Sequence, residues 1–184
     1  MTRIVAGAVG GRRLTVPPKG TRPTSERVRE ALFGALEVAL DLDGARILDL
    51  YAGSGALGFE ALSRGAAVVT FVESDRRAVE VLRRNARELG LPGATVRAGT
   101  VETTVAESAD APYDVILADP PYAVDNRKLT EILRRIMAGG WLAPDGLLVL
   151  ERASRDGQPD WPAGLELTRT RRYGDTTLLW AEPA

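Results

Sequence analysis

Ile47-Leu-Asp-Leu-Tyr-Ala-Gly-Ser-Gly-Ala-Leu-Gly58 is the stretch that decides the fold of this chain. Ile47 to Tyr51 reads as a strand, and Ala56 to Arg64 as a helix closed by Gly65. Between them Gly53-Ser-Gly55-Ala-Leu-Gly58 spells G-x-G-x-x-G, in which glycines let the backbone approach a ligand at a helix N-terminus. Strand, glycine turn and helix in that order open a parallel, doubly wound sheet.

Outward from this stretch the rhythm repeats. Val68 to Glu73 is a strand, and Arg76 to Leu89 a helix closed by Gly90. Ala94 to Arg97 is a short strand, Tyr113 to Ala118 another, and residues 126–138 form a helix. Gly146 to Glu151 is a fifth strand. The ending changes character: Leu165 to Tyr173 and Thr176 to Ala181 flank Gly174-Asp175, a β-hairpin signal. At the other end, residues 3–7 and 12–16 around Gly10-Gly11 read as a second hairpin, followed by the connector Pro17-Pro18-Lys19-Gly20. Thr24 or Ser25 then caps a helix whose apolar stripe is Val28, Leu32, Leu36 and Leu40.

Composition limits the chemistry. At 184 residues, 45% apolar and 27% charged, the chain reads as one soluble domain with a sizeable core. It shows neither a membrane-spanning apolar run nor the apolar core of a signal peptide at Met1-Thr-Arg-Ile-Val-Ala, so a cytoplasmic location is the default expectation. There is no cysteine and no histidine, which removes thiolate nucleophiles, disulfides, Cys/His zinc sites and histidine bases. Any reaction must run on carboxylates, hydroxyls, backbone groups or a cofactor. The net charge of −1 argues against indiscriminate nucleic-acid binding. The charge is nevertheless uneven: residues 1–30 carry seven basic side chains against two acidic ones, a net +5.

The glycine loop, with Glu73 ending the next strand about twenty residues on, suits the ribose of either NAD or S-adenosylmethionine (AdoMet). Asp49 separates the two. Strands of a parallel sheet are buried on both faces, so an unpartnered carboxylate there is costly. A pyrophosphate would repel it, whereas the ammonium of a methionine moiety would pair with it. Amides of the loop from Ala52 to Gly55 are the alternative partners for Asp49.

Asp119-Pro120-Pro121-Tyr122 follows the strand Tyr113 to Ala118. Two prolines end the strand because they donate no ladder hydrogen bond. A carboxylate and the Pro120 carbonyl are both acceptors, suited to a group with two N–H donors. The Tyr122 ring suits stacking on a flat heterocycle. An exocyclic amine on a nucleobase meets both demands. Asp49 to Gly55, Glu73, the Ala98-Gly99-Thr100 stretch and Asp119 to Tyr122 all fall at carboxyl ends of strands, where doubly wound sheets bind ligands.

These stretches resemble class I AdoMet-dependent methyltransferases, and more narrowly the bacterial 16S rRNA guanine-N2-methyltransferase family (RsmD). The resemblance is carried by Arg3-Ile-Val-Ala-Gly with Gly11-Arg-Arg-Leu14, Arg22-Pro-Thr-Ser-Glu-Arg-Val-Arg-Glu30, Asp49 to Gly58, Val72-Glu-Ser74, Asp119-Pro-Pro-Tyr122 and Tyr173-Gly-Asp-Thr176. It implies a Rossmann-like methyltransferase fold: a mostly parallel seven-stranded sheet with a C-terminal antiparallel hairpin. It implies a division into an N-terminal β-hairpin extension (1–21) that contacts RNA and a methyltransferase domain (22–184). The implied cofactor is AdoMet, held by Arg22, Thr24, Asp49, Tyr51, Ala52, Gly53, Ser54, Gly55, Glu73, Ser74, Thr100 and Val101. Asp119, Pro120, Pro121 and Tyr122 are the implied catalytic group. Arg3, Arg12, Arg13, Arg27 and Arg29 are the implied RNA contacts. The implied partner is 16S rRNA in the small ribosomal subunit or its assembly intermediate, with neither metal nor membrane. Family members often carry an acid after the third strand to accept from the adenine amine; here Thr100 stands there, and its hydroxyl or a backbone group is the expected substitute.

Three other functions share parts of this pattern. An NAD-dependent oxidoreductase would use the same glycine loop, though Asp49 and the D-P-P-Y stretch count against it. A non-enzymatic RNA-binding module would not need Asp119 and Tyr122. A methyltransferase acting on adenine N6, or on another rRNA or DNA base, would present an exocyclic amine to the same acceptors.

Overall fold

The computed structural model describes residues 2–18 and 25–184. Its centre is a seven-stranded sheet of β3 (Arg46–Leu50), β4 (Val68–Glu73), β5 (Ala94–Ala98), β6 (Tyr113–Ala118), β7 (Leu142–Ala153), β8 (Leu165–Tyr173) and β9 (Thr176–Pro183). The spatial order is β5-β4-β3-β6-β7-β9-β8. The first five strands in that order pair in parallel, and β9 joins β7 and β8 antiparallel. From β3 the chain winds outward to β4 and β5, then returns to the other side of β3 as β6. The switch point therefore lies between β3 and β6, where a crevice opens beyond the carboxyl ends.

Helices cover both faces. α1 (Glu26–Ala39), α2 (Ala56–Ser63) and α3 (Arg76–Leu89) bury side chains in one core with Ile47, Val69, Phe71, Val115 and Val149. α4 (Val101–Val105) and α5 (Asn126–Ala138) bury theirs in the other, with Leu48, Leu50, Ile116 and Leu148. Alternate residues of β3 thus enter opposite cores, which explains its apolar run. α1 starts at Ser25, whose hydroxyl accepts from the Val28 amide at 3.2 Å, and it buries Val28, Leu32, Phe33 and Leu36. α2 is buried along its whole length. Glycine is required there: a Cβ at Gly58 would lie 2.2 Å from the Phe71 ring.

The two ends of the chain depart from the sequence reading in instructive ways. The N-terminal hairpin has only two residues per strand, β1 (Thr2–Arg3) and β2 (Arg13–Leu14), where five-residue strands are expected. Ile4, Gly10, Gly11 and Arg12 donate within the hairpin, but other backbone donors go to neighbouring helices. The buried Glu60 carboxylate accepts from Val5 and Ala6, Ser63 Oγ from Val9, and Asn85 Oδ1 from Thr15. Strand β7 begins at Leu142, four residues before the expected start at Gly146. A register shift between Tyr113 and Val115 absorbs Pro144 and Gly146. The single-turn helix α4 has no counterpart in the sequence reading, because five residues are too few to show periodicity. No helix of the described residues is long and apolar enough to cross a membrane.

Candidate active site

A cavity of about 370 Å³ lies beyond the carboxyl ends of β3, β4, β6 and β7. Strand β3 and its loop contribute Asp49, Tyr51, Ala52, Gly53 and Ser54; β4 contributes Glu73, Ser74 and Asp75; β6 leads into Asp119, Pro120, Pro121 and Tyr122. Of the strand ends expected to converge, those of β3, β4 and β6 are brought to one crevice, whereas the Ala98-Gly99-Thr100 stretch after β5 does not line it.

The glycine loop is pinned from two sides. Glu73 Oε1 accepts from the Gly53 amide and Oε2 from the Asp75 amide, both at 2.8 Å. Asn85, 1% exposed, donates from Nδ2 to the Ser54 carbonyl at 2.9 Å. Gly55 has φ +86°, and a Cβ there would meet Phe59 at 2.4 Å. Only glycine satisfies both conditions. Tyr51 is the one non-glycine with positive φ (+59°) among the described residues. That left-handed turn costs on the order of 1–3 kcal/mol and redirects the chain from β3 into the loop. The Tyr51 hydroxyl is buried without a hydrogen-bond partner among the described residues, and burial raises its pKa.

Asp49 is 1% exposed yet lines the cavity floor. Its Oδ2 accepts from the Gly58 amide at 3.0 Å, and not from the Ala52–Gly55 amides raised as alternatives. Burial pushes its pKa well above the usual carboxylate range, and the charge of Glu73 adds to the shift. Burial thus favours the neutral form of this acid, and an opposite charge placed beside it would favour the ionised one.

Two of the expected cofactor residues lie elsewhere. Thr100 caps α4, its hydroxyl accepting from the Thr103 amide at 3.1 Å, and Val101 is buried in the core beside α5. Neither lines the cavity, nor does Gly55, which shapes the loop from behind. Arg22 and Thr24 lie outside the described residues.

The Asp119–Tyr122 turn is braced from β7. The Pro121 carbonyl accepts from the Val124 amide at 3.0 Å. Arg152, 5% exposed, donates to the Val124 carbonyl at 3.2 Å and to Asn126 Oδ1 at 2.9 Å. Asn126 Nδ2 in turn donates to the Asp156 carbonyl at 2.7 Å. Pro120 is buried, whereas Tyr122 is 59% exposed, with the Arg155 guanidinium 5.4 Å from its ring centre. Ala56, Leu57, Glu151, Arg152, Ala153 and Asp156 complete the wall, with Val16 and Asp75. None of these eight is among the site residues expected from the sequence. β7 runs on to Ala153, past Leu150, which lies opposite the last residue of β6, so Glu151 and Arg152 come level with the Asp119 turn while still inside a strand.

The basic residues divide sharply. Arg13 and Arg27 are exposed. Arg3 is exposed and pairs with Glu26 at 2.8 Å. Arg12 donates to the Glu88 carbonyl at 2.9 Å. Arg29 corrects the expectation placed on it: at 1% exposure it donates to the Arg3 carbonyl at 2.6 Å and braces the hairpin from within. A phosphate does not reach it there. Among the described residues no cluster of side chains is arranged to hold a metal ion.

A Rossmann-like sheet with a glycine loop on β3, an acid ending β4 and Asp-Pro-Pro-Tyr ending β6 is the arrangement that the resemblance to methyltransferases implied, and the relatives of the chain are methyltransferases. Residues 2–182 match the family model described as conserved hypothetical protein 95. The chain is 38% identical over 174 residues to ribosomal RNA small subunit methyltransferase D of Escherichia coli K12, covering 94% of this chain and 85% of that protein. It is 34% identical over 155 residues to the protein of the same name from Haemophilus influenzae, covering 81% and 77% of the two chains. The chain belongs to this family, that of the ribosomal RNA small subunit methyltransferase D enzymes. Solved structures agree: a hypothetical protein of Thermus thermophilus superposes with a TM-score of 0.83 at 35% identity, covering 99% of each chain. Magnesium protoporphyrin IX methyltransferase from Synechocystis shares the fold, with a TM-score of 0.66 at 16% identity over 86% of this chain and 79% of that one.

Proposed function

We propose that this chain transfers a methyl group from AdoMet to the exocyclic N2 of a guanine in 16S rRNA, presented by the small ribosomal subunit or its assembly intermediate in the cytoplasm. The observation that carries the reading is the juxtaposition, in one cavity, of the buried acid Asp49 with the acceptor-and-ring turn Asp119–Tyr122. The named relatives are small-subunit rRNA methyltransferases, and the Synechocystis enzyme was crystallised with bound SAM.

The residues fit AdoMet. Asp49 supplies a desolvated acid for the ammonium of its methionine moiety, and Glu73 a carboxylate beside the loop for ribose hydroxyls. The cofactor, when bound, supplies a methyl group on a positively charged sulfur. Every other task falls to the chain. Guanine N2 is a weak nucleophile because its lone pair is delocalised into the ring. Asp119 and the Pro120 carbonyl accept its two N–H groups and turn that lone pair toward the methyl. Tyr122 stacks on the extruded base. This is catalysis by positioning and electrostatics, so the absence of histidine is no obstacle. The N-terminal hairpin supplies phosphate contacts through its exposed arginines, and these place the target without reading sequence.

The test is direct. The protein is incubated with methyl-labelled AdoMet and, separately, free 16S rRNA, small-subunit particles and large-subunit particles. Nucleoside digestion should return labelled N2-methylguanosine from small-subunit RNA. Label on N6-methyladenosine, or on large-subunit RNA, would overturn the reading.

A further inference from the structure

We infer that Glu151 is a specificity-determining residue, accepting the ring N1–H of guanine beside the amine that Asp119 holds. The inference rests on the guanine-N2 reading above. β6 and β7 are parallel neighbours with Ala118 opposite Leu150. The next residue on each is Asp119 and Glu151. The two carboxylates therefore leave adjacent strands at the same level, about 4.8 Å apart between backbones. Both line the cavity, and both are half-buried.

The guanine edge demands such a pair. Its N1–H and N2 amine are neighbouring donors. Asp119 and the Pro120 carbonyl take the two amine hydrogens, which leaves N1–H without an acceptor in the cavity. An unpaired buried donor is costly, so a third acceptor next to Asp119 is needed. Glu151 is the acidic side chain that strand register puts there.

The same carboxylate rejects purines with the opposite pattern. In adenine and in 2,6-diaminopurine, N1 carries a lone pair in place of the hydrogen. That lone pair would face Glu151, acceptor against acceptor, with neither group satisfied. A site built to bond a particular hydrogen discriminates strongly against an analogue that lacks it. 2,6-Diaminopurine keeps the amine at C2, so it isolates N1–H recognition from amine recognition.

Glu151 has a competing role to be separated. It is one of three carboxylates, after Glu60 and Glu26, whose charges favour the charged form of Arg29 against the desolvation that lowers its pKa. A residue serving only that role would matter for stability and not for base choice.

The experiment uses small-subunit particles reconstituted with 16S rRNA in which the guanosine methylated by wild type, located by nucleoside mapping, is replaced by 2,6-diaminopurine riboside. Initial rates with labelled AdoMet are compared for the two particles. Wild type should prefer guanosine by at least about tenfold, the discrimination expected when a charge-assisted hydrogen bond is missing. Glu151→Gln should lower the guanosine rate and narrow the preference about tenfold, because the amide can turn its N–H toward an N1 acceptor. AdoMet affinity by calorimetry should be unchanged. Equal rates of wild type on both particles would overturn the inference, and that result does not depend on the variant folding. So would a Glu151→Gln enzyme with both rates reduced in proportion, which would assign Glu151 to Arg29 alone. Failure of wild type to modify any guanine N2 would instead overturn the functional reading on which this rests.

Discussion

Asn85 Nδ2 donates to the carbonyl of Ser54, 2.9 Å away, in the middle of the glycine loop. The same side chain, 1% exposed, pairs with both the amide and the carbonyl of Thr15 at 2.9 Å. One residue of α3 therefore couples the N-terminal hairpin to the glycine loop. With Glu60 and Ser63 holding Val5, Ala6 and Val9, the hairpin is joined to α2 and α3 by their side chains. Asn85→Ala removes three hydrogen bonds and leaves buried backbone groups unpaired. It should destabilise the protein by about 1–3 kcal/mol. Loss of AdoMet affinity alongside a lower Tm is expected; unchanged AdoMet binding by calorimetry would show that the loop keeps its shape without this tie.

Asp119→Ala should lose most methyl transfer while AdoMet affinity changes far less, since the carboxylate serves the incoming amine. A fall in rate of about 10²–10³-fold is the scale for removing one preorganised transition-state group. Turnover close to wild type would remove Asp119 from the chemistry.

Glu73 has two duties that the sequence did not separate. It is proposed to hold the ribose, and it accepts from the amides of Gly53 and Asp75. Glu73→Ala should weaken AdoMet binding by about 1–3 kcal/mol, the scale of hydrogen bonds to a charged group. Glu73→Gln separates the duties in part: its carbonyl oxygen still accepts from Gly53 while the charge and the acceptor for the Asp75 amide are removed. Affinity for AdoMet equal to wild type in both variants would contradict the assignment.

Asp49 predicts a pH dependence. Its pKa is raised in the folded state by burial. Relative to an ordinary aspartate, it adds stability at low pH, and this is lost as pH rises through the raised pKa. The stability of wild type relative to Asp49→Asn should therefore be greatest in acid and decline toward neutral pH. Binding of a cation reverses the preference, because the ionised carboxylate is then paired. AdoMet should bind wild type with release of a proton, detectable by calorimetry in buffers of different ionisation enthalpy, and Asp49→Asn should abolish that release. Proton release unchanged in the variant would place the linkage elsewhere.

The fold was legible where an apolar pattern was sustained and its ends were marked by a cap or a turn. β4, β6, α3 and α5 have the bounds read from hydrophobic pattern and caps. The hairpin strands are shorter than their pattern suggests because the acceptors of their amides lie some fifty to seventy positions away, on Glu60, Ser63 and Asn85. Arg29 illustrates the same limit: a charged residue in a basic segment reads as surface until the helix face it occupies is known. Arg152 escapes the sequence reading for a related reason. Its role is set by the Val124 carbonyl and Asn126, which follow a different strand.

The structure also sharpens where RNA should be felt. Arg3 is engaged with Glu26, Arg12 with the Glu88 carbonyl, and Arg29 is buried. Substituting these would disturb the hairpin itself, so weaker RNA binding could not be assigned to missing phosphate interactions. Arg13 and Arg27 are exposed on the same N-terminal segment and serve as the cleaner probe. Outside that segment the chain is net acidic, so attraction to rRNA must come chiefly from local basic groups. The double substitution Arg13→Gln with Arg27→Gln should weaken small-subunit binding and flatten its salt dependence. Removing one phosphate interaction should reduce the slope of log K against log salt by roughly 0.7–0.9. AdoMet affinity and Tm should stay at wild-type values, because neither side chain lines the cavity. An unchanged salt slope would exclude both arginines from the RNA surface.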